Sequence, residues 1–282
     1  MASIGSGRLG VVAYAFEPRR RPALRRALRS LAGVAPWPAG SRLAIVRRAG
    51  QPPFGDPGIG LPVQELEDDG QRWEFGAWQT GLDALRVRGE VGAWLLLNDT
   101  VGVNDPWPRA DRIALRQAAD VLAGGDHVAL AGGVTALPAG SSMEGQPLDG
   151  FVQSQAFVLS AAALRVLGGS LFDAARFEAP RVWAGELQLP SQLSPTLAAH
   201  IIDWLTRPGK HGWRHHSGRA ELPDELLRSK AGSILLEKRL MAGVLAAGGV
   251  VVDCRSRTTH PLRLLARRAF YWRRRLALAL PG

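Results

Sequence analysis

"AWLLLNDTVG", residues 93–102, runs five apolar side chains together and then stops at Asn98 and Asp99. Successive side chains of a strand point to opposite faces, so an unbroken apolar run marks a strand covered on both sides. Strands of that kind sit inside parallel sheets flanked by helices, and ligands bind such sheets outside the carboxyl ends of the strands. Asn98 and Asp99 stand at such an end. The same dipeptide also makes turns by bonding to nearby backbone groups.

Outward from this strand, placed at 92–98, apolar runs alternate with helical patterns. Strands are expected at "RLGVVAYAF" (8–16), "RLAIVRR" (42–48), "LPVQELE" (61–67) and "DHVALAG" (126–132). Helices are expected over 22–31, 73–85 and 111–122; in the second, Phe75, Trp78, Leu82 and Leu85 recur at helical spacing. The segment 133–150, "GVTALPAGSSMEGQPLDG", reads as a long surface loop of the kind that forms an active-site lid. "FVQSQAFVLS" (151–160) reads as a strand whose Gln153, Ser154 and Gln155 interrupt an apolar run and are candidates for facing a pocket. Helices at 161–167, 194–205 and 224–247, a basic loop at 207–218 and a strand at 249–253 complete the pattern. Alternation of this kind predicts an α/β fold, a three-layer sandwich with a mostly parallel central sheet and further helices toward the C-terminus. Residues 1–260 form the expected domain and 261–282 a basic amphipathic tail.

The formal net charge is +10, with 35 Lys and Arg against 25 Asp and Glu, which favours acidic partners such as phosphates. The single cysteine, Cys254, forms no internal disulfide and gives no argument for an oxidising compartment. No apolar run reaches the length of a membrane span, and the first residues do not have the pattern of a signal peptide. A cytoplasmic protein is expected. The tail "RLLARRAFYWRRRLALAL" (263–280) has the composition of a helix lying in an anionic membrane interface, which would put the protein at the inner face of the membrane; it equally suits a helix packed on the domain.

Three segments, "DDGQRWEFGAWQTGLDAL" (68–85), "AWLLLNDTVGV" (93–103) and "FVQSQAFVLSAAAL" (151–164), together and in this order resemble the rhamnan synthesis F family of polysaccharide-building glycosyltransferases. The resemblance spans about residues 8–200. Asp69 departs from the asparagine common at its position, while Arg72, Glu74, Phe75, Gly76 and Trp78 fit. It implies a GT-A-like, Rossmann-type fold and transfer of a sugar from a nucleotide-sugar donor to a cell-surface polysaccharide or lipid-linked glycan.

Such a transfer must hold a diphosphate, stabilise it as it leaves and deprotonate an acceptor hydroxyl. Asp99 is the candidate ligand for Mg²⁺ or Mn²⁺, since hard cations take oxygen donors and often only one or two carboxylates beside phosphates. "NDT" lacks the second carboxylate of an Asp-x-Asp motif. Asn98, Asp99, Arg72, Glu74, Trp78, Gln153 and Ser154 are the candidate donor-binding residues; Arg72 and Glu74 open a helix, where backbone N–H groups favour anions. Glu74 equally suits a helix start and Trp78 core packing. Glu186 is the candidate general base, with Asp149 and Glu237 as rivals. Lys210, Arg214 and the histidines 211, 215 and 216 offer contacts to a diphosphate. Two other functions compete: a glycan-assembly partner with a degenerate site, and a basic nucleic-acid-binding protein. The second lacks any recognised module, so no nucleic acid is expected.

Overall fold

The computed structural model describes residues 7–70, 73–87, 89–103, 107–172, 178–183, 186–207, 213 and 222–255. In chain order the elements are β1 (Leu9–Ala15), α1 (Arg21–Ala32), β2 (Arg42–Arg48), β3 (Val63–Asp68), α2 (Trp73–Arg86) and β4 (Ala93–Asn98). There follow α3 (Arg109–Ala123), β5 (Ala129–Ala136), the short pair β6 (Ser142–Met143) and β7 (Gln146–Pro147), β8 (Gly150–Ser160) and α4 (Ala161–Val166). The pair β9 (Arg181–Trp183) and β10 (Glu186–Gln188), α5 (Pro195–Thr206), α6 (Asp224–Ala246) and β11 (Val250–Asp253) close the described chain.

Seven strands make one sheet in the order β11-β5-β8-β4-β1-β2-β3. All neighbours are parallel except β8, which runs antiparallel to both β4 and β5. The expected three-layer α/β architecture with a mostly parallel central sheet is therefore observed. Two cores sandwich the sheet, and β1 shows how one strand serves both: Leu9, Val11, Ala13 and Ala15 pack toward α1 and α3, whereas Val12 and Tyr14 pack toward α2 and α6. Every residue of β4 is buried, Leu95 and Leu97 in one core and Trp94 and Leu96 in the other. Double burial is the physical reason for its unbroken apolar run.

The reversal of β8 positions the site. Leu97 pairs with Ala156, so the first half of β8 continues past the carboxyl end of β4 and carries Ser154 to Asn98. Parallel strands would have put that end of β8 at the opposite edge.

The expected lid at 133–150 is corrected. Residues up to Ala136 extend β5, and Ser142–Met143 pairs with Gln146–Pro147 as a tight hairpin. Gly140 and Gly145 take φ of 81° and 78°, the left-handed conformation that glycine adopts without strain. Met143 and Leu148 are buried, the Ser142 N–H donates to Ser194 Oγ at 2.9 Å, and Arg239 of α6 pairs with Glu144 at 3.1 Å. Glycine, serine and proline here specify turns, and two apolar anchors fasten the hairpin to the body.

Gly81 lies inside α2, where glycine costs about 1 kcal/mol against alanine. A methyl there would overlap Val12 Cγ1, with Val46 Cγ2 at 3.2 Å, so the glycine lets α2 settle onto β1 and β2. We expect Gly81→Ala to destabilise the fold by about 1–3 kcal/mol despite its better helix propensity, as overpacking does. Urea denaturation checks this; a gain in stability would show that α2 can shift outward freely.

Candidate functional site

The outgoing connection of β1 leads to β2 and that of β4 to β5, toward opposite sides of the sheet. The carboxyl ends of β1 and β4 are thus a topological switch point, the position at which open α/β sheets bind ligands. Three sequence-distant segments meet there.

Ser154 is their hub. Its N–H donates to Glu237 Oε1 at 3.1 Å, its hydroxyl donates to Glu74 Oε1 at 3.2 Å, and its carbonyl accepts from Asn98 Nδ2 at 3.1 Å. Glu74 also accepts from the Ser233 hydroxyl at 2.7 Å. Ser233 and Glu237 are one helical turn apart on α6 and so reach the same place. Glu237 pairs through Oε2 with Lys238 at 3.2 Å, and Lys238 is buried with Nζ 3.0 Å from the centroid of the Phe151 ring. Burial lowers the Lys238 ammonium to about 8, against the opposing pull of Glu237. Asn98, Glu74 and Ser154, expected from sequence, are brought together; Ser233 was missed, because a serine within a long helix carries no signal of its partner.

Asn98 and Asp99 are both buried. Asn98 Oδ1 accepts from the N–H of Thr100 at 3.0 Å and from its hydroxyl at 2.5 Å, which is the turn-forming role open to this dipeptide. Asp99 Oδ2 accepts from the Glu17 N–H at 2.5 Å, and Oδ1 lies 3.7 Å from Arg20 NH1. Arg20 is shared with Glu17 at 3.2 Å. Asp99 therefore ties the loop after β1 to the end of β4. Burial raises its carboxyl to about 6; the backbone N–H of Glu17 and the Arg20 guanidinium work against that shift.

This donor set does not fit a divalent cation at Asp99. One oxygen is engaged by a backbone donor, the other faces a guanidinium that would repel the ion, and among the described residues no group of three His, Cys, Asp or Glu converges. Positive charge at this edge comes from arginine instead.

Other expected residues lie apart from the hub. Trp78 is wholly buried, edge-on to Phe75 and Phe157 with both ring centroids at 5.2 Å, and its indole N–H donates to the Leu97 carbonyl at 2.9 Å. Its position is corrected from donor contact to core anchor beneath the switch point. Gln153 is half-buried on β8. Asp149 and Glu186 are exposed, one before β8 and one on β10. Arg72, Lys210, His211, Arg214, His215, His216 and the tail 261–282 lie outside the described residues. No helix among the described residues is long and apolar enough to cross a membrane. A cavity of about 430 Å³, lined by Arg86, Val91, Trp94 and Arg165 among others, lies at the opposite, amino end of β4.

Two residues that sequence reading passed over stand at the switch point on the α2 side of β1. Phe16, directly after the strand, is 39% exposed, and Tyr14 is buried with no hydrogen-bond partner for its hydroxyl among the described residues. An apolar strand end reads as core, which hides both.

No protein-family model matches the sequence, and no curated protein matches it. Among solved structures the chain is similar to the mannosyltransferase PcManGT from Pyrobaculum calidifontis in complex with GDP-Man and Mn²⁺. That similarity has 12% identity and a TM-score of 0.40, covering 94% of this chain and 82% of that one. It is too distant to carry an argument about activity.

Proposed function

We propose that the chain is a glycosyltransferase that moves a sugar from a nucleotide-sugar donor to a polysaccharide or lipid-linked glycan acceptor. The observation that supports this most is the meeting of Glu74, Asn98 and Ser154, one from each of the three segments that resemble the rhamnan synthesis F family, in a single hydrogen-bonded knot. Residues 80 and 56 positions apart have no local reason to share partners. In this reading the knot is the buried support of the donor site, and Asp99 holds the loop after β1 against it. Arg20, with a quarter of its side chain exposed, supplies positive charge to the departing diphosphate. Glu186, exposed on β10, is the proposed general base, with Asp149 as its rival. The tail at 261–282 is the proposed membrane contact.

The test is release of nucleoside diphosphate from a panel of UDP-, GDP- and dTDP-sugars, with and without acceptor. Glu186→Gln is expected to lower turnover by about 10²-fold or more, as loss of a general base does, with donor affinity retained. Because the Asp99 donor set does not fit a divalent cation, Asp99→Asn is expected to leave the response of release to EDTA and Mn²⁺ unchanged; loss of a Mn²⁺ response in that variant would refute the arginine assignment. Binding of no nucleotide by the folded protein would favour a glycan-assembly partner without catalysis.

A further inference from the structure

We propose that the basic tail, residues 262–280, packs as a helix beside α3 and covers the face of β11 that α1 and α3 leave bare, with its arginines turned outward. This goes beyond the sugar transfer proposed above and does not depend on it; it gives the membrane contact proposed for the same tail a mounting on the domain.

The described fold leaves a place in one layer. On β11, Val251 packs toward α2 and α6, so Val250 and Val252 point to the opposite face, where Cys254 enters the core under α1 and α3. Val250 and Val252 pair in register with Ala129 and Ala131 of β5, which are wholly buried in that core. The two valines are nevertheless 55% and 43% exposed. The helical cover therefore ends one strand short of the edge of the sheet.

The flank of α3 beside this gap is apolar. Arg116 marks the α1 side of the helix, since its guanidinium donates to the Ala35 and Pro36 carbonyls at 2.7 Å each. Helical spacing sets Ala114, Ala118 and Val121 across the helix from Arg116. Both alanines are half-buried, and Val121 is 66% exposed. Burial raises the Cys254 thiol, and Asp253 and then Asp111 add to the rise, which puts the start of α3 beside the end of β11. Two alanines and three valines thus border an apolar strip left uncovered among the described residues, and alanines on a flank let a second helix come close.

The tail fits this strip in position, length and pattern. Arg255, the last described residue, donates to Thr135 of β5 at 3.1 Å, so the chain leaves from the carboxyl end of the edge strand. Residues 256–261 suffice for a strand-to-helix connection, and Pro261 suits the first turn of a helix. A helix over 262–280 would measure about 28 Å against about 23 Å for the fifteen residues of α3, so it spans the strip from end to end. Leu262, Leu265, Ala269, Trp272, Leu276 and Ala279 recur at intervals of three and four and make one stripe. Most of the arginines fall outside it, around a second row of Leu264, Tyr271 and Leu278. The first stripe has the character of a core contact, and the second that of a face for an anionic surface. Helices draw most of their stability from packing such a stripe, and the bare valines lie in the very strand from which the tail springs.

Hydrogen exchange read by mass spectrometry on the full chain, without lipid, tests the inference. Peptides from 262–280 are expected to exchange at least about a hundredfold more slowly than an unstructured chain. Val250→Asp and Val252→Asp, both at exposed positions, should return those peptides to the unstructured rate while β4 and α2 keep their protection. Trp272→Ser alters only the tail and should release it too, with faster exchange at Val250–Asp253. Fast exchange of 262–280 in the wild type overturns the inference, as does protection that survives both aspartates. Protection that appears only with vesicles of phosphatidylcholine and phosphatidylserine overturns it by making the membrane the sole partner of the stripe. Protection that appears only at concentrations where light scattering finds dimers overturns it by putting a second copy on the valines. None of these results bears on nucleoside diphosphate release, so the proposed function stands or falls separately.

Discussion

Trp78→Ala is expected to lose about 4 kcal/mol of stability, the range seen when a large buried aromatic is truncated. The ring is fully buried and makes edge contacts with Phe75 on its own helix and with Phe157 on β8, so it joins α2 to the antiparallel strand that carries Ser154. Truncation opens a cavity between these elements and leaves the Leu97 carbonyl without its indole donor. An unpaired buried acceptor costs roughly a further 1–3 kcal/mol where water cannot reach it. Against a total of about 5–15 kcal/mol for a protein domain, the variant sits near the unfolding threshold. Trp78→Phe separates the two contributions: it fills most of the volume but cannot donate, and should cost about 1–3 kcal/mol. Urea titration followed by circular dichroism measures both. Near-wild-type stability in the alanine variant would mean that the α2 and β8 layer is held elsewhere. A motif residue can thus be essential by positioning a strand end it never exposes.

The strands were legible where burial left no choice. β2 occupies residues 42–48 as its apolar centre predicts, and β4 reads as buried because both faces need apolar side chains. The hairpin at 140–147 was not legible, since composition reports turn-forming residues and says nothing of whether Met143 and Leu148 find a core to enter. The same holds at the site. Asn98 and Asp99 spell a strand end in either direction. Whether they face out or in was decided by Thr100, two residues on, and by the Glu17 backbone, 82 residues back. Tyr14 carried no signal, because a tyrosine in an apolar strand announces burial and not the absence of a partner. Contacts between distant segments decide these points, and one chain read alone does not contain them.

Asp99→Asn is expected to stabilise the protein above neutral pH and to do nothing in acid. The Asp99 carboxyl rises from 3.8 to about 6 on folding, chiefly because burial disfavours its charge. Below about pH 3 it is protonated in both states and imposes no penalty. As pH rises to about 6 the unfolded chain ionises first, and above that the folded protein carries a buried anion at a cost of roughly 3 kcal/mol. Asparagine removes the charge and keeps an oxygen for the Glu17 N–H, at the expense of the attraction to Arg20. A net gain of about 1–3 kcal/mol at pH 8, vanishing below about pH 3, is the expected outcome of parallel denaturation series. Asp99→Ala should behave oppositely at low pH, because the Glu17 N–H is then orphaned whatever the charge. If Asp99→Asn destabilises at pH 8, the Arg20 and backbone partners outweigh desolvation, and Asp99 is a structural anchor alone. If it stabilises, the chain keeps a costly anion at its switch point, and donor-dependent turnover in the same variant should fall, the usual exchange of stability for function.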